Sequence, residues 1–468
     1  RQQVEEDRNG NTRVSEYDEN GNVTRITDAL GNTIEQSYDS RGNPTSFTDA
    51  LGNTTTYAYD GNNNLTRRVD PLGAITSWTY NSRGQVTSTT DPLGNVYRQE
   101  YDSRGNLTKT IDPLGFYEEV TYDSRGNPAT FRDKNGEVSS FEFDAAGNNT
   151  RITDPLGQET SYAYDSANRL TEVTKQRTDA DGNVFDVSVS YDYGRTGLLL
   201  ESIDPGGRAV TNTYNAAGRL TDREGLNGVT ATYEYNARGN KIANHYSDGT
   251  SEFFVYDANG NLLRYTNREG ITTTSTYDAL NRVVSETNAF GGVTTYQYDA
   301  AGRVVRTVNA DGDTVELEYD SGTSFSPSPT LGSSPGRVSK VTRGNGDFLE
   351  YEYDLNGNLV GAANSEGESA TAEYDALNRR TALVHEDGPA TTADYTAVGL
   401  IATTASGDGI SLSPGYDAIG RLTQVVDATG NLTHYDYDEL GNKLSQTDAN
   451  GNTIHWSYDN LGRVESRT

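Results

Sequence analysis

The chain has no cysteine and no methionine, and only two tryptophans and 12 prolines among 468 residues. Without cysteine there is no disulfide framework, no thiolate metal site and no sulfur nucleophile. Apolar residues are also few, 33% of the total with a mean hydropathy of −0.75, which argues against a thick solid core. No stretch reaches the ~20 apolar residues that a membrane-spanning helix requires. Lysine and arginine number 38 against 68 aspartates and glutamates, a formal charge of −30. That balance excludes recognition of a nucleic-acid backbone, which depends on clustered cations, and leaves an acidic, solvated surface. The lack of methionine and of a leader pattern is read as the mark of an internal stretch of a longer polypeptide.

What is abundant is glycine, 49 residues, and tyrosine, 31 residues, and both are periodic. Tyr17, Tyr38, Tyr59, Tyr80, Tyr101 and Tyr122 are spaced by 21 residues, and Phe143 and Tyr164 continue the phase. The same step links Tyr256, Tyr277 and Tyr298, and later Tyr437 and Tyr458. With Tyr191 included, the chain holds 21 copies. A period of this length marks a repeat architecture, in which each unit stacks on its neighbours.

A copy reads close to YDxxGNLTxxxDPLGNxTxxx, as from Tyr101 onward. Four residues after the aromatic, 15 copies have glycine, and Asn63, Asn168, Asn281 and Asn378 fill four others. Glycine and asparagine are the residues that best accept a positive φ, so a turn is expected there. Seven residues before the aromatic a second glycine recurs, as in Gly31, Gly52, Gly73, Gly94 and Gly115. Aspartate or asparagine directly after the aromatic suits an Asx-turn, and Pro71 and Pro92 preset φ in the second turn. Between turns lie segments of about six residues with period two, such as Thr-Tyr-Ala-Tyr at positions 56–59.

These features predict an all-β fold of tandem antiparallel hairpins in one continuous, spiralling sheet of about 42 strands, curled into a hollow shell or tube. A sheet that wide twists, and its one-sided apolar face has to be covered. The tyrosine ladder is expected to be structural, with rings on adjacent copies stacked or edge to face.

The YDxxGN and DPLGN turns, repeated at 21 residues across the chain, resemble the YD-repeat or RHS-repeat family. That family includes shells of bacterial polymorphic toxins, the encapsulating component of insecticidal toxin complexes, wall-associated proteins and the extracellular part of teneurins. The resemblance implies a β-sheet shell, often around a C-terminal toxic domain, and secretion or cell-surface display. The family's aromatic core motif with its self-cleavage site is not matched. Asp112-Pro113-Leu114-Gly115 is one of several ordinary turns, so no catalytic residue is carried over.

The whole of 1–468 is read as a single array, with irregular copies at 165–213, a Ser/Pro-rich inserted loop at 321–336 and degenerate copies at 375–415, where Thr396 and His385 replace the usual acids. His434 and His455 share a register and would lie on adjacent copies. Two imidazoles make a metal site only with further ligands, so they are read as solvent-facing. Each turn offers one carboxylate where calcium takes six to eight oxygens. No catalytic, metal or cofactor residue is assigned. The expected function is a non-catalytic shell segment of a secreted or surface protein that encloses or presents a toxin or effector domain. The alternative is an adhesive or filament-forming surface protein whose exposed repeat faces bind glycans or other cells, multivalency supplying avidity, with self-association left open.

Overall fold

The computed structural model describes residues 1–178, 183–226, 228–320, 336–459 and 461–468. The described residues form 43 strands and no helix, and the strands belong to an antiparallel sheet in which chain neighbours pair. The all-β class read from the repeat is what the chain adopts. The inserted loop at 321–336 lies, apart from Gly336, outside the described residues.

Each copy contributes a six-residue strand such as Thr33–Tyr38, a turn, a five-residue strand such as Pro44–Thr48, and a second turn. The two turns share one geometry. In both, the first residue accepts from the N–H of the fourth and donates its own N–H to the carbonyl of the fifth, as Asp18 and Asp28 do. The fourth residue is left-handed, with φ of 87° at Gly21 and 85° at Gly31. Gly52, Gly73, Gly94 and Gly115 have φ between 84° and 89°, and Asn63, Asn168, Asn281 and Asn378 between 60° and 67°. This is a type I turn closed by a left-handed residue, whose twist suits a hairpin.

The turns differ in what flanks them. After the six-residue strand the register slips by one, as between Glu16 and Tyr17, where Tyr17 pairs with Val23 and Glu16 with Arg25. Across the other turn Thr27 simply opposes Thr33. The extra residue of one bulge per copy makes the period odd, and each bulge adds local twist.

The register also corrects the phase of one copy. The slip falls between Asp192 and Tyr193, and Gly197, four residues later, has φ 83°. Tyr193, not Tyr191, therefore holds the ladder position, and the step of 21 resumes at Tyr214. The surplus residues sit in one long hairpin, Leu170–Thr178 with Val184–Tyr193.

Burial alternates along the strands, as in Thr54–Tyr59, where Thr55 and Tyr57 are buried and their neighbours exposed. The apolar core is thin. Tyr57, Leu65 and Trp78 form its buried cluster, with Phe47, Tyr59, Tyr80 and Val86 packed against it. The chain divides into two compact units. The first comprises Arg1–Arg98, Tyr233–Asn378 and His385–Asp387, and the second Gln99–Thr232, Arg379–Val384 and Gly388–Thr468.

Candidate functional site: the rims of turns

Most of the described turns are organised by the side chain of their first residue, an aspartate or asparagine. Asp39 Oδ1 accepts from the backbone N–H groups of Arg41 and Asn43, both at 2.9 Å, and Oδ2 accepts from Asn43 Nδ2 at 2.9 Å. Hydrogen bonds to the ionised form favour it. The Asn43 side chain, then its backbone N–H, hold the Asp39 carboxyl at about 2. Where arginine replaces the fifth-position asparagine, its Nε serves Oδ2, as Arg303 does for Asp299 at 2.7 Å.

The ladder tyrosines tie copy to copy. Tyr38, Tyr80, Tyr122, Tyr277, Tyr298 and Tyr458, among others, donate their hydroxyls to the backbone carbonyl 15 residues earlier, at 2.6–2.9 Å. The Tyr101 hydroxyl lies 3.0 Å from Gln99 Oε1, and that of Tyr17 lies 3.2 Å from Gln3 Oε1. Tyr59, whose hydroxyl is buried, is pushed up to about 12, first by burial and then by neighbouring Tyr57. Phe143 ends its strand in the same position without a hydroxyl, Tyr164 and Tyr256 end theirs at that position too, and Tyr437 there donates to the Leu422 carbonyl at 2.8 Å. Later in the chain ladder ring faces meet arginine, where the spacing suggested ring on ring. Arg303 lies 4.4 Å from the Tyr319 ring centroid and Arg337 lies 4.7 Å from that of Tyr353.

Because turns alternate between the two ends of the strands, each unit presents two kinds of rim. One carries the turns that follow a ladder tyrosine, here the YD rim, and the other carries the DPLG-type turns. In the first unit, early DPLG-type turns lie against late YD turns. Asn9 Nδ2 donates to Asp257 Oδ2 at 3.0 Å, and Asn259 Nδ2 donates back to Asp7 Oδ2 at 2.8 Å. Further along, buried Asn356 donates to Asp91 Oδ2 at 2.7 Å. Between these points a cavity of about 610 Å³ is lined by Asp28, Asp49, Ala50 and Pro71 on one side and by Ala300, Ala301 and Arg303 on the other.

The second unit has the same arrangement with other chemistry. Arg177, at the end of the long hairpin, pairs through Nε with Asp438 Oδ2 at 3.1 Å, with side chains 8% and 2% exposed. Its remaining nitrogens donate to the carbonyls of Asp459 and Tyr458 at 2.9 and 3.2 Å. Leu461 packs on Gly206 so closely that a Cβ there would meet Leu461 Cδ2 at 3.1 Å. Nothing in the repeat pattern singles out Arg177, because its partners lie about 260–280 residues away.

Two clusters stand apart from the rims, both in the first unit. Glu252 accepts from Tyr246, Tyr265 and Asn244, each at 2.6 Å. The Tyr246 and Tyr265 hydroxyls hold that carboxyl low, and the same bond, with burial, pushes Tyr265 up to about 12. Beside it, His245 Nδ1 is 2.9 Å from Ser251 Oγ and Nε2 is 3.3 Å from Glu234 Oε1. No spacing in the repeat marks this Ser-His-Glu chain. His245 and Ser251 are directly opposed residues on paired strands. In the second unit, a strand separates His434 from His455, since they pair with Thr447 and Ser445 of the intervening Lys443–Thr447, and His434 contacts Asp436 at 3.1 Å. Among the described residues no three His, Cys, Asp or Glu side chains converge to hold a metal, and no helix is long and apolar enough to cross a membrane.

A family model described as Teneurin YD-shell matches residues 2–179 and 115–232, and a model described as RHS Repeat matches 256–293, 277–314 and 416–451. No curated protein matches the chain. Among solved structures it is similar to TcdB2-TccC3-Cdc42, at 15% identity and a TM-score of 0.52, over 96% of this chain and 29% of the other. It is also similar to TcdB2-TccC3 without its hypervariable C-terminal region, at 13% identity and a TM-score of 0.56, over 98% and 30%. The chain thus spans about 30% of the length of these structures, and the likeness is one of fold.

Proposed function

Because the chain belongs to the YD-shell and RHS-repeat family, we propose that it is a non-catalytic wall segment of a secreted or extracellular protein, which encloses a toxin or effector domain. The observation that carries this reading is the seam of turn upon turn, present in each unit between segments some 250–280 residues apart. A sheet whose own ends seat on one another makes a continuous wall without a thick core. The array 1–468 is read as one such wall, with 165–213 and 375–415 as its irregular copies and the insertion at 321–336 as an excursion from it. Function then rests on enclosure, and no residue has to do chemistry.

To test enclosure, a compact protease-sensitive domain is fused after Thr468 and digested beside the same domain alone. Retarded digestion that ends when the seam variant Arg177→Ala is introduced is the expected result. Digestion at the free domain's rate would exclude enclosure by this segment. A serine-directed phosphonate should leave Ser251 unlabelled, and specific labelling lost in His245→Ala would show an enzyme.

A further inference from the structure

The residue at the third position of each turn, its tip, differs between rims that are seated on another rim and rims that are not. On the seated DPLG-type rim of the first unit the tips are Asn9, Leu30, Leu51, Leu72 and Leu93. On the YD rim that receives it they are Asn259, Leu280, Ala301, Asn356 and Leu377. Charge is absent from the tips of these seated turns, and it appears at Arg238, the tip of the YD turn one copy before Asn259. The early YD turns and the late DPLG-type turns of the same unit are solvent-exposed, and charge appears at many of their tips: Arg41 and Arg83, alternating with Asn20 and Asn62, on one, and Asp248, Glu269, Asp311 and Glu366, with Asn345, on the other.

The seated leucines are covered to about half, with Leu30 50% and Leu51 42% exposed, while Phe290, at the equivalent position of an unseated turn, is 98% exposed. Phe290 is the apolar one among these exposed tips, and the acids Glu269 and Asp311 stand one copy away on either side.

A second change accompanies the first. On the exposed YD rim, tip arginine links one turn to the next, as Arg41 Nη1 donates to the Asp60 carbonyl at 2.9 Å. On the seated YD rim the same link is made from the fifth position, as Arg303 Nη1 donates to the Asp320 carbonyl at 3.3 Å. The second unit repeats the shift, with Arg104 and Arg125 at exposed tips and Arg379 and Arg421 at the fifth position. Moving the arginine back by two residues keeps the turn-to-turn link and clears the tip.

We infer that the tip residue specifies which rims seat on one another: an apolar residue or an asparagine facing an opposing turn carboxylate licenses contact, and a charged residue keeps a rim from seating. A guanidinium or carboxylate at a tip would lose water on contact without a matched partner, a cost that leucine does not meet. The net charge of −30 acts in the same direction between copies of the chain.

The test converts the exposed rims to the seated pattern. Arg41→Leu with Asn43→Arg and Arg83→Leu with Gln85→Arg give the early YD rim clear tips with the links retained, and Asp248→Leu, Glu269→Leu, Asp311→Leu and Glu366→Leu together clear the other rim. Sedimentation velocity should find the parent chain monomeric and the chain with both rims converted associating head to tail, since such a contact is heterologous and open-ended. A chain with one converted rim should associate at least tenfold more weakly. Three results would overturn the inference: a monomer after both conversions, equal association from either rim alone, or association of the parent. Conversely, Leu51→Glu with Leu72→Glu should speed amide exchange at residues 299–303 at least tenfold while the paired strand Thr272–Tyr277 keeps its protection. Unchanged exchange at 299–303 would count against the inference even if the converted chains failed to fold.

Discussion

The two units seat early turns on late ones with different chemistry. In the first, the contact is spread over neutral amides that reach opposing carboxylates: Asn9 on Asp257, Asn259 on Asp7 and Asn356 on Asp91. In the second it is concentrated in Arg177, which meets Asp438 and two carbonyls. An amide is neutral, so losing one of several leaves no buried charge. A guanidinium withdrawn from Asp438 leaves a buried carboxylate with only its own turn to satisfy it. Spread contacts tolerate damage, and a concentrated one does not.

The largest break in this comparison should come from Arg177→Ala. Removing one partner of a buried ion pair is expected to destabilise the second unit by about 3 kcal/mol, measured by urea unfolding. Arg177→Lys should recover only part of it, because the ammonium cannot serve three acceptors in a plane. A loss under about 0.5 kcal/mol, the range of an exposed pair, would show that the contact adds nothing to the seam.

Next is Gly94→Val, in the turn whose Asp91 receives Asn356. There is room for a Cβ there, with nothing within 4 Å, so the cost is backbone strain at φ 89°. About 2 kcal/mol is expected. Valine at Thr89, mid-strand, serves as the control and should cost less. Equal losses would contradict the role given to φ.

Asn356→Ala should cost less again, about 1 kcal/mol, since Asp91 keeps three bonds from its own turn. Asn356→Leu should recover part of that loss by reproducing its apolar neighbours on the rim. If Asn356→Ala were as damaging as Arg177→Ala, spread and concentrated contacts would not differ.

How much of this is written in the sequence follows from distance along the chain. The strand-and-turn alternation is local, repeated and punctuated by glycine, so the all-β fold is legible from the repeat alone. Tyr193 is masked by Tyr191, which stands two residues earlier in a lengthened strand, and only the register slip distinguishes them. The seams are not legible, because they join residues about 250–280 positions apart and a periodic sequence offers no mark of which copies meet. One sign is present. Ser-Arg-Gly-Asn in early YD turns gives way to Ala-Leu-Asn-Arg or Ala-Ala-Gly-Arg in late ones, as at 40–43 against 279–282 and 300–303. Its meaning depends on knowing which rim is covered.

The smallest effect expected is with pH, and it separates the two kinds of contact through their carboxylates. Asp7 is held at about 2, against an ordinary 3.8, first by the Asn11 side chain, with Asn259 across the seam adding to it. At Asp257 burial opposes ionisation, but the amides of Asn261 and Asn9 outweigh it and the net shift is also downward. A carboxyl lowered on folding contributes stability in full above its unfolded value and loses it as pH falls through the folded one. The amide seam should therefore hold from pH 8 to 5 and weaken between about 4 and 2, because protonated Asp7 is a poorer acceptor for Asn259. Both groups are only partly buried, so the change should be a gradual loosening, with no sharp unfolding step. NMR of the Asn9 and Asn259 side-chain amides, followed with the Asp7 carboxyl carbon, would check this. If Asp7 titrates at its ordinary value while those amides stay ordered to pH 2, the first unit's seam does not depend on its carboxylates, and the contrast with Arg177 has to be sought in packing alone.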